Sequence, residues 1–562
     1  MIESSLDIIK DTLRENKITS LILLLFISIA GLLEALGITL IIPILVNFFG
    51  SSNDLSDTFL EPILIFFANL NVFQIIVIIS SAFILKSLIL QISVSIVSKK
   101  VADFSYKYRK DFMENFFNAD LGFVESLPAG KILAHISNDT IAAAAAYLSI
   151  VRLLSGIIQI IVYTIYIFYI SWLASLSSIL IGILLGFAIA SVLTATRKAG
   201  NKTIEEVHKL SQIAGESTQA IKEIKSLNIK NYVLNKFNEK SLSLRSAHTI
   251  NGRVGQSLKN VMDPLIIISG ISMVFFFIDI ISMTPGEAIV LLALIFRLLQ
   301  SAQLSFSDYQ KFLGQEKGLL SIKNIIQDLE GRRELIEQNK SGKKYPAINS
   351  ISLKNIDIFY GDDRIIDNLS LEIDQNSLTV ITGSSGSGKT TLMDVMLGLK
   401  KYQNGEILFG DIKFNDVDPN FWASNIGYMS QDSFLIEGTI KENIVMGRNN
   451  LSNFFDLEEL SRMVGLEDFI SDKREKFNFM LSEGGKNLSG GQKQRLSLAR
   501  AIYHKPSFLF LDEPTSALDY LTEKNLLSNL NKLKKEMTII CISHSLQFIK
   551  NSDKHIDLNN II

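Results

Sequence analysis

Long apolar runs alternate with charged stretches along the first half of the chain. Six of these runs are long enough to cross a membrane, which takes roughly 20 apolar residues. They cover residues 18–50, 71–98, 141–170, 172–196, 264–283 and 288–307. The alternative is a set of buried helices in a large soluble protein. Successive runs of this length with so few charges favour six membrane-spanning helices instead.

The distribution of Lys and Arg predicts how these helices are oriented. The segments after the first, third and fifth runs contain neither residue type. The segments between runs two and three and between runs four and five contain many, including Lys99, Arg109, Lys131, Arg197 and Lys222. Loops rich in Lys and Arg lie on the cytoplasmic side. Both ends of the helical region are therefore predicted to face the cytosol.

The two cytoplasmic loops are much longer than a connection requires. They also lack the Pro- and Gly-rich composition of a linker, so we expect the helices to continue well beyond the membrane. Within each loop we expect one short helical turn, near residues 119–125 in the first loop and near residues 228–232 in the second.

Five ionisable residues lie inside the predicted spans: Glu34, Lys86, Arg152, Asp279 and Arg297. A charge within a membrane is costly and faces a cavity or a partner. Two interpretations are open, a structural role through ion pairing or snorkelling, and contact with a transported substrate. Glu34 and Arg297 lie well inside their spans and are the candidate substrate residues.

A change in pattern after the sixth run predicts a second domain. The helical period continues to about residue 330, and residues 331–350 then become polar, with a Gly and a Pro. Beyond them, short β-rich runs alternate with helical segments, as in an α/β domain with a largely parallel sheet. We predict a six-helix, all-α transmembrane domain over residues 1–330, a linker over 331–350 and an α/β domain over 351–562.

Composition narrows the possible partners and the compartment. Of the 562 residues 48% are hydrophobic and 20% are charged, with a net charge of −2, which gives no reason to expect a nucleic-acid partner. Cys541 is the only cysteine, so no internal disulfide is expected. Its apolar surroundings predict a small side chain in a buried strand. The first residues lack the pattern of a removable signal peptide.

A phosphate-binding loop follows the first β-run of the α/β domain. Residues 383–390, GSSGSGKT, match G-x-x-x-x-G-K-[ST] between a predicted strand and a predicted helix. In such a loop backbone N–H groups surround the phosphates, Lys389 balances their charge and the Thr390 hydroxyl ligates Mg²⁺. The candidate nucleotide contacts are Gly383, Ser384, Ser385, Gly386, Ser387, Gly388, Lys389, Thr390 and Thr391.

Two carboxylates end a later apolar strand in the segment PSFLFLDEPTSALD. Asp512 is predicted to hold Mg²⁺, and Glu513 is predicted to act as the base for the water that attacks the γ-phosphate. Acids at the end of a strand can also be ordinary surface charges. The phosphate loop upstream favours the catalytic interpretation.

The segment LSGGQKQRLSLAR, residues 488–500, resembles the signature of the ATP-binding cassette family. The resemblance implies that Ser489, Gly490, Gly491 and Gln492 contact the nucleotide bound to a second cassette. It also implies that the Tyr360 ring stacks on adenine, that Gln431 contacts Mg²⁺ and that His544 contacts the γ-phosphate. A core aromatic, a surface glutamine and a structural histidine are the alternatives for these three residues.

The same resemblance extends to domain order and assembly. The segment SEGG at residues 482–485 resembles a stretch found in exporters of the family, and the membrane domain precedes the cassette. We therefore expect an ATP hydrolase that drives export from the cytosolic side of a bacterial-type cytoplasmic membrane. The chain has every part of the site except a partner's signature, and none looks degenerate, so a homodimer is expected.

The substrate is the least determined feature. The segments LLEALGITLIIPIL and LALIFRLLQSAQ faintly resemble the flippases of lipid-linked oligosaccharides. A substrate with a charged head and an apolar tail, drawn from the membrane lipid, would suit Glu34 and Arg297. A peptide or drug exporter remains an alternative, as does an ATP-binding regulator that transports nothing. An attached peptidase has no support in the sequence.

Overall fold

The computed structural model describes residues 9–10, 17–41, 44, 70–275, 285–332, 348, 350–360, 363–448, 454–516 and 518–560. The chain forms two compact units. The first consists of Met1–Ala119 and Phe123–Arg332, and the second of Asp120–Gly122 and Arg333–Ile562. The predicted linker over residues 331–350 falls almost entirely outside the described residues.

The described part of the first unit is helical. Its long helices are α1 (Lys17–Thr39), α2 (Val72–Phe117), α5 (Thr140–Ile170), α6 (Trp172–Gln219), α8 (Lys230–Phe275) and α9 (Pro285–Gly331). Between them lie the short helices α3 (Leu121–Glu125), α4 (Ala129–Ala134) and α7 (Ile221–Ser226), and a π-helical turn over His135–Asp139. The six predicted membrane helices correspond to the six long ones.

Helix length confirms that several helices continue beyond the membrane. Helix α2 has 46 residues, which corresponds to about 69 Å, against about 30 Å for the hydrocarbon core. Within the described residues, four helices are individually long and apolar enough to span a membrane, while α6 and α8 carry shorter apolar segments, Trp172–Ile183 and Met262–Met273. Most of residues 42–50 and all of 276–283, with Asp279, fall outside the described residues.

The two short helical turns expected in the cytoplasmic loops have different outcomes. Helix α3 confirms the first. The second prediction is wrong, because the short helix α7 ends at Ser226 and a new helix begins at Lys230. Asn228 has a φ of 54°, the left-handed conformation that Asn tolerates better than most residues. This residue therefore marks the break between two helices rather than the interior of one.

Glycines allow the helices of the first unit to approach closely. A Cβ atom added to Gly200 on α6 would lie 2.4 Å from the carbonyl oxygen of Gly314 on α9. On α4, a Cβ atom at Gly130 would lie 2.2 Å from the carbonyl oxygen of Ser211, again on α6. Both contacts involve backbone atoms, which cannot move as a flexible side chain can. These positions therefore set how tightly α6 packs against its neighbours.

The second unit is built on two main sheets. A five-stranded parallel sheet has the order β11 (Lys554–Asp557), β3 (Leu378–Thr382), β10 (Thr538–Ile542), β9 (Phe508–Asp512), β6 (Ile426–Met429). A four-stranded antiparallel sheet has the order β2 (Asp363–Ile373), β1 (Ile351–Tyr360), β4 (Asn404–Phe409), β5 (Ile412–Lys413). β7 (Gly438–Thr439) and β8 (Met480–Leu481) form a short antiparallel pair.

Helices surround the parallel sheet. They are α10 (Lys389–Leu397), α11 (Pro419–Asn425), α12 (Ile440–Val445), α13 (Leu457–Met463), α14 (Glu467–Ser471), α15 (Gly490–Ile502), α16 (Tyr520–Leu533) and α17 (Leu546–Asn551). Alternate residues of one strand enter different cores. Phe508 and Phe510 of β9 pack in one core, and Leu509 and Leu511 pack in the other. This is the pattern of a parallel strand covered on both faces.

Cys541 lies in β10 and is fully buried, which confirms its prediction as a small core side chain. Burial raises the pKa of its thiol well above the usual range. The thiolate, which is the reactive form of cysteine, is therefore strongly disfavoured.

We predict that Gly200→Ala destabilises the first unit. The added methyl group must displace the backbone of Gly314, and overpacking of this kind costs about 1–3 kcal/mol. Gly182→Ala on the same helix is the matched control, because no atom lies within 4 Å of its added Cβ. The measurement is thermal unfolding of the purified protein in detergent. Equal melting temperatures for the two variants would contradict this account of the packing.

Candidate functional site

The parallel sheet brings the predicted motifs to one edge. Ile542 at the end of β10 is in register with Asp512 of β9 on one side and with Ile381 of β3 on the other. The segments that follow these three strands therefore begin side by side. In open α/β sheets, ligands bind at the carboxyl ends of the strands.

The phosphate loop connects β3 to α10, as the motif predicts. Gly386 and Gly388 have φ values of 85° and 83°, which favour glycine. A Cβ atom at Gly388 would also lie 2.7 Å from Cγ2 of Ile365. The Nζ atom of Lys389 donates to the carbonyl oxygens of Gly383, at 2.9 Å, and Ser384, at 2.8 Å. The loop thus curves around the Lys389 ammonium group.

Asn559 is a loop contact that the sequence did not suggest. Its side-chain oxygen accepts hydrogen bonds from the backbone N–H of Ser384, at 3.0 Å, and from the Ser384 hydroxyl, at 2.8 Å. The two residues are 175 positions apart in the chain, so no local pattern could reveal the pair. The contact holds one side of the phosphate loop in a defined conformation.

Asp512 is buried at the end of β9, and its surroundings suit a cation. Burial raises its pKa to about 6, and the nearby carboxylates of Glu513 and Asp394 add to this effect, while Lys389 opposes it. Asp394 is in turn paired with Lys400 at 2.9 Å. A buried carboxylate beside other carboxylates is stabilised by a positive ion. The residues present therefore fit Mg²⁺.

Glu513 has a strained backbone and a defined partner. Its φ is 47°, which is unusual for a residue other than glycine. Its N–H donates to the carbonyl oxygen of Ile542 at 2.9 Å, so β10 anchors the turn. The Gln431 amide donates to the Glu513 carboxylate at 3.1 Å. Backbone strain of this kind concentrates at functional sites, where the surrounding structure maintains it.

Thr390 and His544 lie at the same edge, and Tyr360 ends a strand of the other main sheet. Thr390 is exposed in the first turn of α10, and His544 is exposed two residues after β10. Tyr360 ends β1, where its backbone pairs with Asp363, but its side chain is not among those described. The structure thus brings together Lys389, Asp512, Glu513 and Gln431, each of which contacts or electrostatically influences another of the set.

The signature segment begins α15. The Ser489 hydroxyl accepts from the Gln492 N–H at 3.3 Å, and the Gln492 side chain accepts from the Ser489 N–H at 2.9 Å, a capping box. Ser489 and Gly490 are exposed. Near its other end α15 packs against β6, where a Cβ atom at Gly427 would lie 2.2 Å from the carbonyl oxygen of Ala501. The turn thus presents the N-terminus of a helix at the protein surface.

The intramembrane charges form a second site in the first unit. The Glu34 carboxylate lies 2.8 Å from Nζ of Lys86 and 3.2 Å from Nε of Arg297. The Tyr163 hydroxyl donates to it at 2.5 Å. Arg152, another ionisable residue of the predicted spans, is exposed. Sequence reasoning left ion pairing open for these charges but did not identify Lys86 or Tyr163 as partners of Glu34. We call Glu34, Lys86, Arg297 and Tyr163 the membrane charge cluster.

Two family models match the chain. The model described as the ABC transporter transmembrane region matches residues 20–303, half of the chain, and the ABC transporter model matches residues 366–516. The second match contains the phosphate loop, Gln431, the signature segment, Asp512 and Glu513.

Comparison with individual proteins agrees with the two family models. An export ATP-binding/permease protein of Rickettsia typhi is 27% identical over 475 residues, which are 81% of this chain and 79% of that protein. A leukotoxin translocation ATP-binding protein of Mannheimia haemolytica is 37% identical over 224 residues, which are 39% of this chain and 31% of that protein. The solved structure of a bacterial Atm1-family ABC exporter with ATP bound has a TM-score of 0.80, with 19% identity, and covers 98% of this chain and 94% of that one.

The sequence motifs, the two matched regions and the fold agree on one architecture. A helical transmembrane domain is fused to a cytosolic α/β cassette that binds ATP. The chain therefore belongs to the ABC transporter family, as a multi-pass membrane exporter that couples ATP hydrolysis to transport.

Proposed function

We propose that the edge formed by β3, β10 and β9 is the hydrolytic site, with Glu513 as its general base. The Gln431 amide holds the Glu513 carboxylate at 3.1 Å and so orients it toward an attacking water. The phosphate loop, residues 383–391, would surround the phosphates with N–H groups, and Lys389 would exchange its loop carbonyls for phosphate oxygens. His544 would contact the γ-phosphate from the neighbouring strand end.

Thr390, Gln431 and Asp512 would hold Mg²⁺, which neutralises phosphate charge when bound. The raised pKa of Asp512 supports its part in this proposal, because it shows that the ionised side chain lacks sufficient positive charge nearby. A divalent ion would restore the carboxylate form. We propose no further ligand from the described residues.

We propose that the working unit is a homodimer. The capping box satisfies backbone groups at the start of α15 and leaves an exposed helix N-terminus with two glycines, which suits contact with phosphate oxygens. In the parallel sheet, two strands lie between β6, on which α15 packs, and β3, which the phosphate loop follows. The distance from β6 to β3 across the sheet is therefore roughly 14 Å. A second copy would supply Ser489, Gly490, Gly491 and Gln492 to the bound nucleotide.

For the substrate, we propose an amphipathic lipid-linked molecule with an anionic headgroup. The membrane charge cluster carries this proposal. Glu34 is one anion between two cations, so the cluster has a formal charge of +1 within apolar helices. The side chain of Arg297 remains 43% exposed, although it is paired with Glu34. A permanently charged guanidinium in this setting favours an anionic ligand.

The side chains of the membrane charge cluster are also held in position by their neighbours, as in a preorganised binding site. Glu34 is 4% exposed and accepts from the buried Tyr163 hydroxyl, so its carboxylate is fixed between Lys86 and Arg297. The Arg297 guanidinium also donates to the Gln300 side chain at 3.0 Å. Partners on both sides hold the cation in place. A headgroup such as a diphosphate would contact Arg297 and Lys86, while the acyl or prenyl tail remained among apolar side chains.

Export of a polypeptide is the second candidate, because one relative is described as a leukotoxin translocation protein. That alignment covers 39% of this chain and under a third of the relative. The two candidates differ in the ligand that stimulates hydrolysis.

We predict that Glu513→Gln retains ATP binding and lowers the hydrolysis rate at least about 100-fold, because the base is lost and the phosphate loop is unchanged. Lys389→Ala should instead weaken ATP binding. The exposed Glu536→Gln is the control and should behave as the wild type. The measurements are ATP binding and phosphate release by purified protein. Wild-type turnover by Glu513→Gln would refute the assignment of the base.

A second prediction follows from the pKa of Asp512. Because the pKa is raised from 3.8 to about 6 in the folded chain, ionised Asp512 destabilises the nucleotide-free protein above pH 6, by up to about 3 kcal/mol. The penalty decreases as the pH falls through 6 and disappears below about 4. Asp512→Asn should therefore melt at a higher temperature than the wild type at pH 7.5, with a smaller difference at pH 5.

The same variant should lose the stabilisation that MgATP gives to the wild type, since a carboxylate ligand is gone. Differential scanning fluorimetry at the two pH values, with and without MgATP, measures both effects. A difference that grows as the pH falls would contradict the assigned cause.

The substrate proposal predicts that Arg297→Gln and Lys86→Gln each lose stimulation of ATP hydrolysis by a polyprenyl-diphosphate oligosaccharide, with apparent affinity at least about tenfold weaker. Each variant leaves Glu34 one basic partner, so both should fold. Lys110→Gln is the control, since Lys110 lies on α2 with Lys86 but is exposed and paired with Glu114. The assay uses proteoliposomes, with thermal stability measured on the same preparation. Full transport by a stable Arg297→Gln protein, or stimulation by peptides alone, would contradict the proposal.

A further inference from the structure

Two histidines and an aspartate converge in the first unit, away from the membrane charge cluster. The Asp139 carboxylate lies 2.8 Å from Nδ1 of His135 and 2.9 Å from Nε2 of His208. The three ligand atoms are within 4.8 Å of one another. We call these residues the His–Asp–His cluster. Neither the nucleotide site nor the proposed substrate site uses them.

The backbone prepares this arrangement. His135 and Asp139 are the first and last residues of the π-helical turn, and π-helical turns occur often at functional sites. Gly130, one turn earlier on α4, lets the backbone approach that of Ser211 on α6, which brings His208 of α6 beside the turn. The two imidazole rings meet edge to face with centroids 4.8 Å apart. The site is therefore fixed by two packed helical segments.

Most of the cluster is buried. Asp139 is fully buried and His135 is 4% exposed, while the His208 side chain is 16% exposed. The partly exposed His208 provides a route from solvent to the cluster. His135 and Asp139 precede the third apolar run and His208 follows the fourth, so all three lie in segments that the distribution of Lys and Arg assigns to the cytosol.

The donor set determines which ligand would bind. Two imidazole nitrogens and one carboxylate suit zinc and neighbouring first-row divalent ions, whereas Mg²⁺ and Ca²⁺ prefer oxygen ligands. Zinc bonds to nitrogen and carboxylate oxygen are about 2.0–2.2 Å long, so tetrahedral ligand atoms lie roughly 3.4 Å apart. The Asp139 carboxylate lies 2.8 and 2.9 Å from the two histidine nitrogens. Each of these separations would widen by about half an ångström. All three ligand atoms already lie within 4.8 Å of one another.

We propose that His135, Asp139 and His208 bind a divalent transition-metal ion of the zinc class, which ties the π-helical turn to α6. Nδ1 of His135, a carboxylate oxygen of Asp139 and Nε2 of His208 are the ligands. The Ser321 hydroxyl of α9 lies 3.4 Å from Nδ1 of His135. The ion links cytoplasmic segments of the membrane domain and stabilises their packing.

The test uses the purified full-length protein, in detergent, without nucleotide and with any polyhistidine tag removed. Co²⁺ is titrated in the presence of millimolar Mg²⁺, and both the visible absorption of tetrahedral Co²⁺ and the binding isotherm are recorded. Zn²⁺ is then added to displace Co²⁺. We expect one Co²⁺ per chain, displacement by Zn²⁺, no competition from Mg²⁺, and a higher melting temperature with Zn²⁺.

His208→Gln and Asp139→Asn should each weaken Co²⁺ binding at least about tenfold. Both substitutions keep hydrogen-bonding side chains of similar size, so each should fold. His248→Gln, at an exposed histidine of the same unit, is the matched control and should bind as the wild type. If the wild type takes up no Co²⁺, or if His208→Gln and His248→Gln bind it equally, the cluster is a hydrogen-bonded triad without a metal and the proposal is wrong.

Discussion

The pairing of β3, β10 and β9 is the constraint on which the nucleotide site depends. Because Ile381, Ile542 and Asp512 are in register, the phosphate loop, the segment before His544 and the Asp512–Glu513 pair start at one level of the sheet. The strands are buried on both faces, and alternate side chains enter two cores. A slip of one residue in any strand would reverse this alternation. Core packing therefore fixes the positions of residues whose chemistry is unrelated to packing.

Sequence reasoning succeeded where chemistry is encoded locally. The phosphate loop and the strand that ends at Asp512 each lie within one short segment, and the structure contains both elements. It failed where the contact joins distant segments. Asn559 on Ser384, and Tyr163 and Lys86 on Glu34, are visible only after folding. The misplaced second short helix has another cause, a left-handed Asn228 that separates two helices of similar composition.

Two of the buried carboxylates in the membrane domain share one arrangement. Glu34 and Asp139 each lie between two basic side chains, from different helical segments. Removing a charge from water costs free energy, and two charged or hydrogen-bonding partners offset more of that cost than one partner does. The two sites differ in what the partners are. Lys and Arg keep their charge and leave a net positive cluster that suits an anion, whereas two imidazoles can be neutral and suit a metal ion.

In the homodimer that we propose, the phosphate loop of one chain and the signature turn of the other bind one ATP jointly. Hydrogen–deuterium exchange of the Glu513→Gln protein, compared with and without MgATP, tests this arrangement. A shared site should slow exchange on nucleotide binding at residues 383–391 and also at residues 489–492, with the second effect lost on dilution to monomers. Protection confined to residues 383–391 would contradict the shared site.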